Sequence, residues 1–132
     1  MCFAVVVAAR SVVALYRPIL EPLGLTHPQY LVMLALWERA PQTASQLSHT
    51  LALDPGTLSP LLKRLAAAGL IERQRDSRDE RQLAVRLTAQ GMALRSAAEK
   101  VPGAVSERLG MGLDELAALR DDLNRVISAA GG

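Results

Sequence analysis

Residues 54–88 constrain the fold of this chain more than any other stretch. A basic helical segment ends at Gly69, and two strand-like segments, residues 70–75 and 82–88, flank a charged tip at residues 76–81. A helix followed by an arginine-rich hairpin is typical of a winged helix-turn-helix, in which the helix enters the major groove of DNA. The hairpin tip then reaches a phosphate or the adjacent minor groove. The sequence therefore predicts a DNA-binding module here.

The helical segment of this module has two different sides. Asp54 followed by Pro55 predicts its start, because proline is tolerated in the first turn of a helix. Leucines fall on one side of the helical wheel, and polar or small residues fall on the other. Pro60 leaves two possibilities open: the helix is kinked there, or its regular part begins at Pro60 with Ser59 as the cap. The candidates for major-groove contacts are Thr57, Ser59, Lys63 and Arg64.

The hairpin carries most of the remaining basic residues of the module. Its arginines are Arg73, Arg75, Arg78, Arg81 and Arg86. Arginines on a surface hairpin are often only a solvated face. Acidic neighbours such as Asp79 can also orient a guanidinium group by salt bridges, which suits an arginine that must reach DNA.

The composition fits one globular domain, residues 1–132. Of the 132 residues, 50% are hydrophobic, which argues against disorder, and only 3% are aromatic, so the core must be aliphatic. The formal net charge is only +2. Affinity for a polyanion such as DNA must therefore depend on where the arginines lie and not on bulk charge.

Helices are predicted on both sides of the module. An apolar helix covers residues 3–20, and a second helix begins near Thr26 or His27 and ends at about Ala40. A third helix begins at Thr43, because Gln46 stands at capping-box spacing from it.

The C-terminal part continues this helical pattern. Thr88 caps a fifth helix that reaches about Val101. Pro102 and Gly103 then break or bend the chain, and a last helix covers residues 113–129. The predicted fold class is mainly α with a small β-hairpin wing, a winged helix-turn-helix.

The terminal helices are more apolar than a small central module can cover. The first helix is apolar nearly all round, and the last carries a stripe of Leu116, Leu119, Leu123, Val126 and Ile127. We expect a symmetric homodimer that buries this surface, with residues 1–27 and 89–132 as dimerisation helices and residues 28–88 as the DNA-binding core. Such a dimer places two recognition helices about one DNA turn apart, roughly 34 Å, and so predicts a pseudo-palindromic operator.

Cys2 is the single cysteine of the chain. One cysteine excludes an internal disulfide framework and favours a reducing compartment. The apolar run of residues 1–9 lacks a basic n-region and a cleavage site and is too short to span a bilayer. We therefore expect a cytoplasmic protein with no membrane partner.

Enzymatic and cofactor chemistry are not predicted. No second cysteine could resolve an oxidised Cys2, and no Ser/Cys–His–acid constellation is visible, which argues against a thiol enzyme. His49 has no cysteine or histidine at ligand spacing, so no metal site is predicted.

The order of these elements resembles the MarR family of dimeric winged-helix regulators. The resemblance includes residues 54–65 (DPGTLSPLLKRL) and the wing residues 76–81 (DSRDER). The N-terminal half is similar to the organic-hydroperoxide-responsive OhrR subfamily, through residues 2–4 (CFA), 16–18 (YRP) and 24–33 (GLTHPQYLVM).

This resemblance implies a transcriptional repressor whose N-terminal cysteine is oxidised by organic hydroperoxides. Cys2 occupies the sensing position, and Tyr16 aligns with a tyrosine that holds the thiolate, at least partly across the dimer. His27 replaces a second such tyrosine, and Val6 replaces another that is often present. A small external thiol would cap the sulfenic acid, since no other cysteine of this chain can do so.

The resemblance also assigns roles in the wing and leaves one alternative open. Arg81 would be the minor-groove finger and Asp79 the residue that steers it, with Arg75 and Arg78 as further DNA contacts. A lone cysteine in an apolar sequence is most often buried and inert. If that holds for Cys2, the regulator would instead respond to a small apolar or phenolic ligand.

Overall fold

The computed structural model describes residues 1–75 and 83–131 and confirms the predicted fold class. The chain is mostly helical, with a small antiparallel sheet of strand order β1-β3-β2. It divides into two compact units, one formed by Leu20–Glu99 and one by Met1–Ile19 with Lys100–Gly132. The helices are α1 Cys2–Leu20, α2 His27–Glu38, α3 Ala44–Leu51, α4 Pro55–Ala67, α5 Ala89–Ala98, α6 Val101–Leu109 and α7 Leu113–Gly131. The strands are β1 Gln42–Thr43, β2 Ile71–Arg75 and β3 Leu83–Leu87, and a short 3-10 helix covers Glu21–Leu23.

Local capping signals set the start of α2, α3 and α5, as predicted. Thr26 and Thr43 each form a capping box, in which the threonine hydroxyl accepts from the backbone N–H three residues later and that residue's side chain accepts in return. Thr88 accepts from the N–H of Gly91 at the start of α5. These bonds satisfy N–H groups that a helix start leaves without an intrahelical partner. The helix starts are therefore encoded locally.

Pro60 does not interrupt α4. The helix runs from Pro55 to Ala67 with Pro60 inside it, which excludes a regular part that begins only at Pro60. Pro60 lacks the N–H that would donate to the carbonyl of Gly56, so one intrahelical bond is lost. Leu58, Leu61 and the other leucines of this helix are buried and hold the segment in place despite that loss.

The prediction for Pro102 and Gly103 was wrong. α5 ends at Ala98, a turn follows at residues 99–100, and both residues lie inside α6, a helix that was not predicted. Pro102 is the second residue of α6, where its missing N–H is one that would have no intrahelical partner in any case. The proline thus marks the start of a helix and not a break.

The sheet was predicted as a hairpin but contains a third strand. β1 pairs with β3 through Gln42 opposite Val85, and β2 pairs with β3 from Ile71 opposite Leu87 to Arg75 opposite Leu83. Gln42 is buried, and its Nε2 donates to the backbone oxygens of Ala35 (2.9 Å) and Arg39 (2.7 Å). This amide therefore closes the C-terminal end of α2 and ties it to the sheet.

The unit formed by Leu20–Glu99 has an aliphatic core with one tight junction. The Trp37 indole N–H of α2 donates to the carbonyl oxygen of Gly91 on α5 (2.9 Å, buried). Gly91 itself lies against Leu70, and a Cβ at Gly91 would overlap the Leu70 carbonyl. The largest fully buried side chains of this unit are Leu20, Met33, Leu36, Leu47, Leu58, Leu62, Leu65, Val32 and Val85.

The other unit leaves much apolar surface exposed. Phe3 on α1 is 87% exposed and Ile127 on α7 is 64% exposed, and Val5–Val7, Leu119, Leu123 and Val126 are exposed as well. The stretch Cys2–Leu23 is 22 residues long with a mean hydropathy of 1.7, so by length and composition alone it could cross a membrane. A buried core helix or a signal sequence near the N-terminus can have the same length and composition.

Substitution of Gly91 tests the tight junction. Gly91→Ala is expected to lower the free energy of unfolding by about 1–3 kcal/mol, because the added methyl group must displace the Leu70 backbone. Gly103→Ala is the matched control, since a Cβ there meets nothing within 4 Å and alanine is the better helix former. Urea denaturation of both variants measures the difference, and equal stability of the two proteins would contradict the close packing at Gly91.

Candidate nucleic-acid interface

The exposed side of α4 carries the four predicted groove contacts. Thr57, Ser59, Lys63 and Arg64 are all exposed, while the leucines of the same helix are buried. The buried leucines fix the rotation of α4, so the polar side chains project away from the core. This is the arrangement that a recognition helix needs in order to reach base edges.

One exposed arginine of the sheet, Arg73, lies beside this helix. Arg73 is directly opposite the buried Val85, and opposed residues of an antiparallel pair point to the same face of a sheet. Arg73 and Arg75 therefore rise from the face of β2 that turns toward the core. Arg73 lines a cleft of about 320 Å³ together with Ala44, Ser45, Ser48, Pro55, Leu58, Ser59, Leu62 and Leu83. A positive side chain thus lies next to the recognition helix, and sequence reasoning did not single it out.

The wing tip lies outside the described residues. The predicted contacts Arg78, Asp79 and Arg81 fall within residues 76–82, so their roles stay predictions. Arg75, the last described residue of β2, is exposed and leads directly into this segment.

Asp54 has a role that its position as a helix cap did not reveal. Its side chain makes no capping bond to a backbone N–H; instead Oδ1 accepts a hydrogen bond from the Thr57 hydroxyl at 2.5 Å. This bond is the main reason why the pKa of Asp54 lies below its usual range. The other carboxylate oxygen lies over Gly56, where a Cβ would be only 3.2 Å away. The spacing Asp-x-x-Thr was the available signal, and the glycine between them leaves room for the carboxylate.

Cys2 is exposed at the first residue of α1, and Tyr16 is partly buried on the same helix. Burial raises the pKa of the Tyr16 hydroxyl, which stays protonated at neutral pH. The two residues are 14 positions apart, which corresponds to about 21 Å along the helix. The structure therefore does not bring Cys2 and Tyr16 of one chain together.

His27 begins α2 in the other unit and is partly buried. Burial lowers its pKa below the ordinary value, so the imidazole is neutral at pH 7. A neutral His27 can donate or accept a hydrogen bond but brings no positive charge to a thiolate. Among the residues that the structure describes, no cluster of histidine, cysteine or acidic side chains could hold a metal ion.

Comparison with known proteins shows the family of this chain. Residues 14–97 match the family model described as transcriptional regulator SarA/Rot. The chain is 39% identical over 119 residues to the organic hydroperoxide resistance transcriptional regulator of Bacillus subtilis, covering 88% of this chain and 81% of that protein. It is 46% identical over 123 residues to the HTH-type transcriptional regulator TtmR of Methylorubrum extorquens. That match covers 93% of this chain and 63% of TtmR, so the chain spans less than two thirds of that relative.

Solved structures agree with the sequence relatives. A mutant of E. coli MarR in complex with operator DNA superposes with a TM-score of 0.82 at 28% identity, covering 93% of this chain and 90% of that one. This chain belongs to the MarR family of winged-helix transcriptional regulators. Reduced AbfR bound to DNA, a protein of Staphylococcus epidermidis, gives a TM-score of 0.80 at 34% identity and covers 99% of this MarR-family chain and 91% of its own.

A matched pair of lysines tests the α4 surface of this MarR-family protein. Lys63→Ala is expected to weaken binding to a DNA duplex by about 1–3 kcal/mol if Lys63 contacts a base, with relaxed preference at that base pair. An equal loss of affinity for all DNA sequences, together with a weaker dependence of the affinity on salt concentration, would instead identify a phosphate contact. Lys100→Ala is the control, because Lys100 is exposed in the other unit. Fluorescence anisotropy measures both variants, and equal losses would argue against α4 as the DNA-binding surface.

Proposed function

We propose that this protein is a dimeric repressor that releases a pseudo-palindromic operator when an organic hydroperoxide oxidises Cys2. The observation that carries the proposal is the exposed thiol, which is the single cysteine of the chain and the first residue of an exposed apolar helix. Its relatives are transcriptional regulators, and the one from Bacillus subtilis is named for organic hydroperoxide resistance. Because the proposed partner is DNA, the proposed site of action is the cytoplasm.

The exposure of Cys2 gives it part of the chemistry that a sensor needs. A cysteine sulfur acts as the nucleophile toward a peroxide, so the peroxide must be able to reach it. Exposure then lets the peroxide reach the sulfur. These properties support Cys2 as a reactive thiol in place of the inert, buried cysteine that composition alone would favour.

The reaction we propose balances without a cofactor. The Cys2 thiolate attacks the terminal oxygen of the hydroperoxide, the O–O bond breaks, and the alcohol leaves after its alkoxide takes a proton from water. The sulfur, oxidised by two electrons, is now a sulfenic acid. A small external thiol then forms a mixed disulfide with the sulfur, and water leaves.

A second copy of the chain would complete the sensing site. Fourteen residues correspond to about 1400° of helical rotation, which is about 40° short of four full turns, so Cys2 and Tyr16 share one side of α1. If two α1 helices pack antiparallel about a point midway between these positions, Cys2 lies level with Tyr16 of the partner subunit. A protonated Tyr16 hydroxyl could then donate a hydrogen bond to the thiolate.

Dimerisation would also connect oxidation to DNA release. A symmetric dimer fixes the spacing of its recognition helices, and both must fit the same face of one DNA duplex. A mixed disulfide at Cys2 places a bulky group in the α1 contact that holds the two copies together. The contact must repack, the spacing of the two α4 helices changes, and operator affinity falls.

A groove in the Leu20–Glu99 unit favours the second candidate function. A space of about 470 Å³ is lined by Leu23, Gly24, Ala68, Leu70, Gln90, Ala93, Leu94 and Ala97. Its lining is mostly apolar, with one amide, which suits a small apolar or phenolic ligand. Under this alternative the ligand releases the operator, and Cys2 is incidental.

Replacement of Cys2 separates the two candidates. Cys2→Ser is expected to bind the operator as tightly as the parent protein and to stay bound when cumene hydroperoxide and a small thiol are added. The parent should release the DNA and show a thiol adduct by mass spectrometry. Hydrogen peroxide is the comparison oxidant, and it should act more weakly if the site prefers organic peroxides. If the Cys2→Ser protein still dissociates from DNA when peroxide is added, the redox proposal is eliminated and operator release by a small ligand is favoured.

Two substitutions on α7 test the dimer. The parent protein should sediment at micromolar concentration as twice its 14.2 kDa chain mass. Leu119→Asp puts a charge into the exposed apolar stripe and is expected to shift the protein toward monomer, because burying an unpaired carboxylate costs several kcal/mol. Ser128→Asp places the same charge about two and a half turns further along α7, and so on the opposite side of the helix, and should leave the dimer intact. A parent that sediments as a folded monomer would refute the dimer.

A further inference from the structure

The first turn of α4 offers hydrogen-bond acceptors and no free hydroxyl donor. Asp54 and Thr57 are both exposed, and the Thr57 Oγ1 lies 2.5 Å from Asp54 Oδ1. A hydroxyl has one donor and two acceptor lone pairs. The carboxylate can only accept while it is ionised, so the shared proton belongs to Thr57 and its single donor is occupied.

The ionised state of Asp54 follows from its surroundings. The hydrogen bond from Thr57 is the largest cause of its lowered pKa, so the carboxylate stays charged throughout the physiological pH range. Gly56 leaves the space that the other carboxylate oxygen occupies. The geometry of this pair is therefore set before any DNA is bound.

From this geometry we infer that the Asp54–Thr57 pair determines base preference, selecting an exocyclic amino group in the major groove. Those groups are N6 of adenine and N4 of cytosine, the two amino donors that the major groove presents. The lone pairs left on Thr57 and Asp54 can accept from such a donor. They cannot bond the O6 or N7 of guanine or the O4 of thymine, which are acceptors themselves.

The position of the pair supports this role. In helix-turn-helix proteins the N-terminal residues of the recognition helix contact base edges. Asp54 directly precedes α4 and Thr57 is its third residue, so both belong to that part of the helix. Lys63 and Arg64 are two turns further along and carry the charge for phosphates or guanine. The first turn of α4 thus supplies hydrogen-bond acceptors, whereas the basic part of the same helix supplies donors.

Asp54→Asn offers a nearly isosteric test of the inference, which rests on the DNA-binding surface proposed above. An asparagine amide can donate to Thr57 Oγ1 and so release the hydroxyl proton to point into the groove. Thr57→Ser keeps the hydroxyl and is the matched control, and Thr57→Val removes the hydroxyl with little change in shape. Each protein selects from a pool of randomised duplexes, and sequencing of the bound fraction gives the base preference at every position.

The parent should enrich adenine or cytosine roughly threefold to tenfold at one position in each half-site, the value of one hydrogen bond. Thr57→Ser should keep this preference, Thr57→Val should weaken it, and Asp54→Asn should abolish or invert it toward guanine or thymine. Thermal unfolding shows that each variant is folded.

Two results would overturn the inference. One is an Asp54→Asn protein that binds more weakly but selects the same bases as the parent, which is the result of a purely structural helix cap. The other is a parent that binds duplexes with no preference, at any position of a strand, for adenine or cytosine over guanine or thymine. A parent that retains no duplex at all would refute the DNA-binding surface itself, so the two failures are distinguishable.

Discussion

The bond between the Trp37 indole and the Gly91 carbonyl is the contact on which the unit formed by Leu20–Glu99 depends. It joins α2 to α5 in the buried interior, and Gly91 in turn lies directly against the Leu70 backbone at the start of the sheet. The Thr88 hydroxyl adds a bond to the carbonyl oxygen of Gly69, just after the end of α4. The end of the recognition helix, the start of the wing and the start of α5 therefore meet at one point. A residue larger than glycine at position 91 would move all three.

Capping and hydrophobic spacing made most helices predictable from sequence. Thr26, Thr43 and Thr88 mark helix starts through bonds to residues only three positions away, so a local pattern contains the whole signal. Pro102 shows where local reading fails, because proline can both end a helix and occupy its first turn. Whether Pro102 ends one helix or begins the next depends on the packing of the surrounding chain, which the local sequence does not contain.

Features that depend on distant partners were not visible in the sequence. β1 is two residues long, too short for any alternating pattern, and forms because Gln42 lies opposite Val85, far along the chain. The Asp54–Thr57 bond is local. Its inferred effect on base preference, however, requires that both groups be exposed on the side of α4 opposite the buried leucines. For the proposed redox site, the sequence suggested Cys2 and Tyr16, and their separation along α1 means that one chain alone does not bring them together.

The edges of the sheet also bear on how this protein stays in solution. β3 is the central strand, so within the described part of the chain β1 and β2 each have one edge without a strand partner in this sheet. An unpaired edge invites strands of other molecules and can start aggregation, and short or charged edge strands prevent this. β1 is very short, and β2 exposes Glu72, Arg73 and Arg75. The arginines of β2 thus also protect this edge of the sheet from pairing with other molecules, so exchanging them for apolar residues is expected to lower colloidal stability.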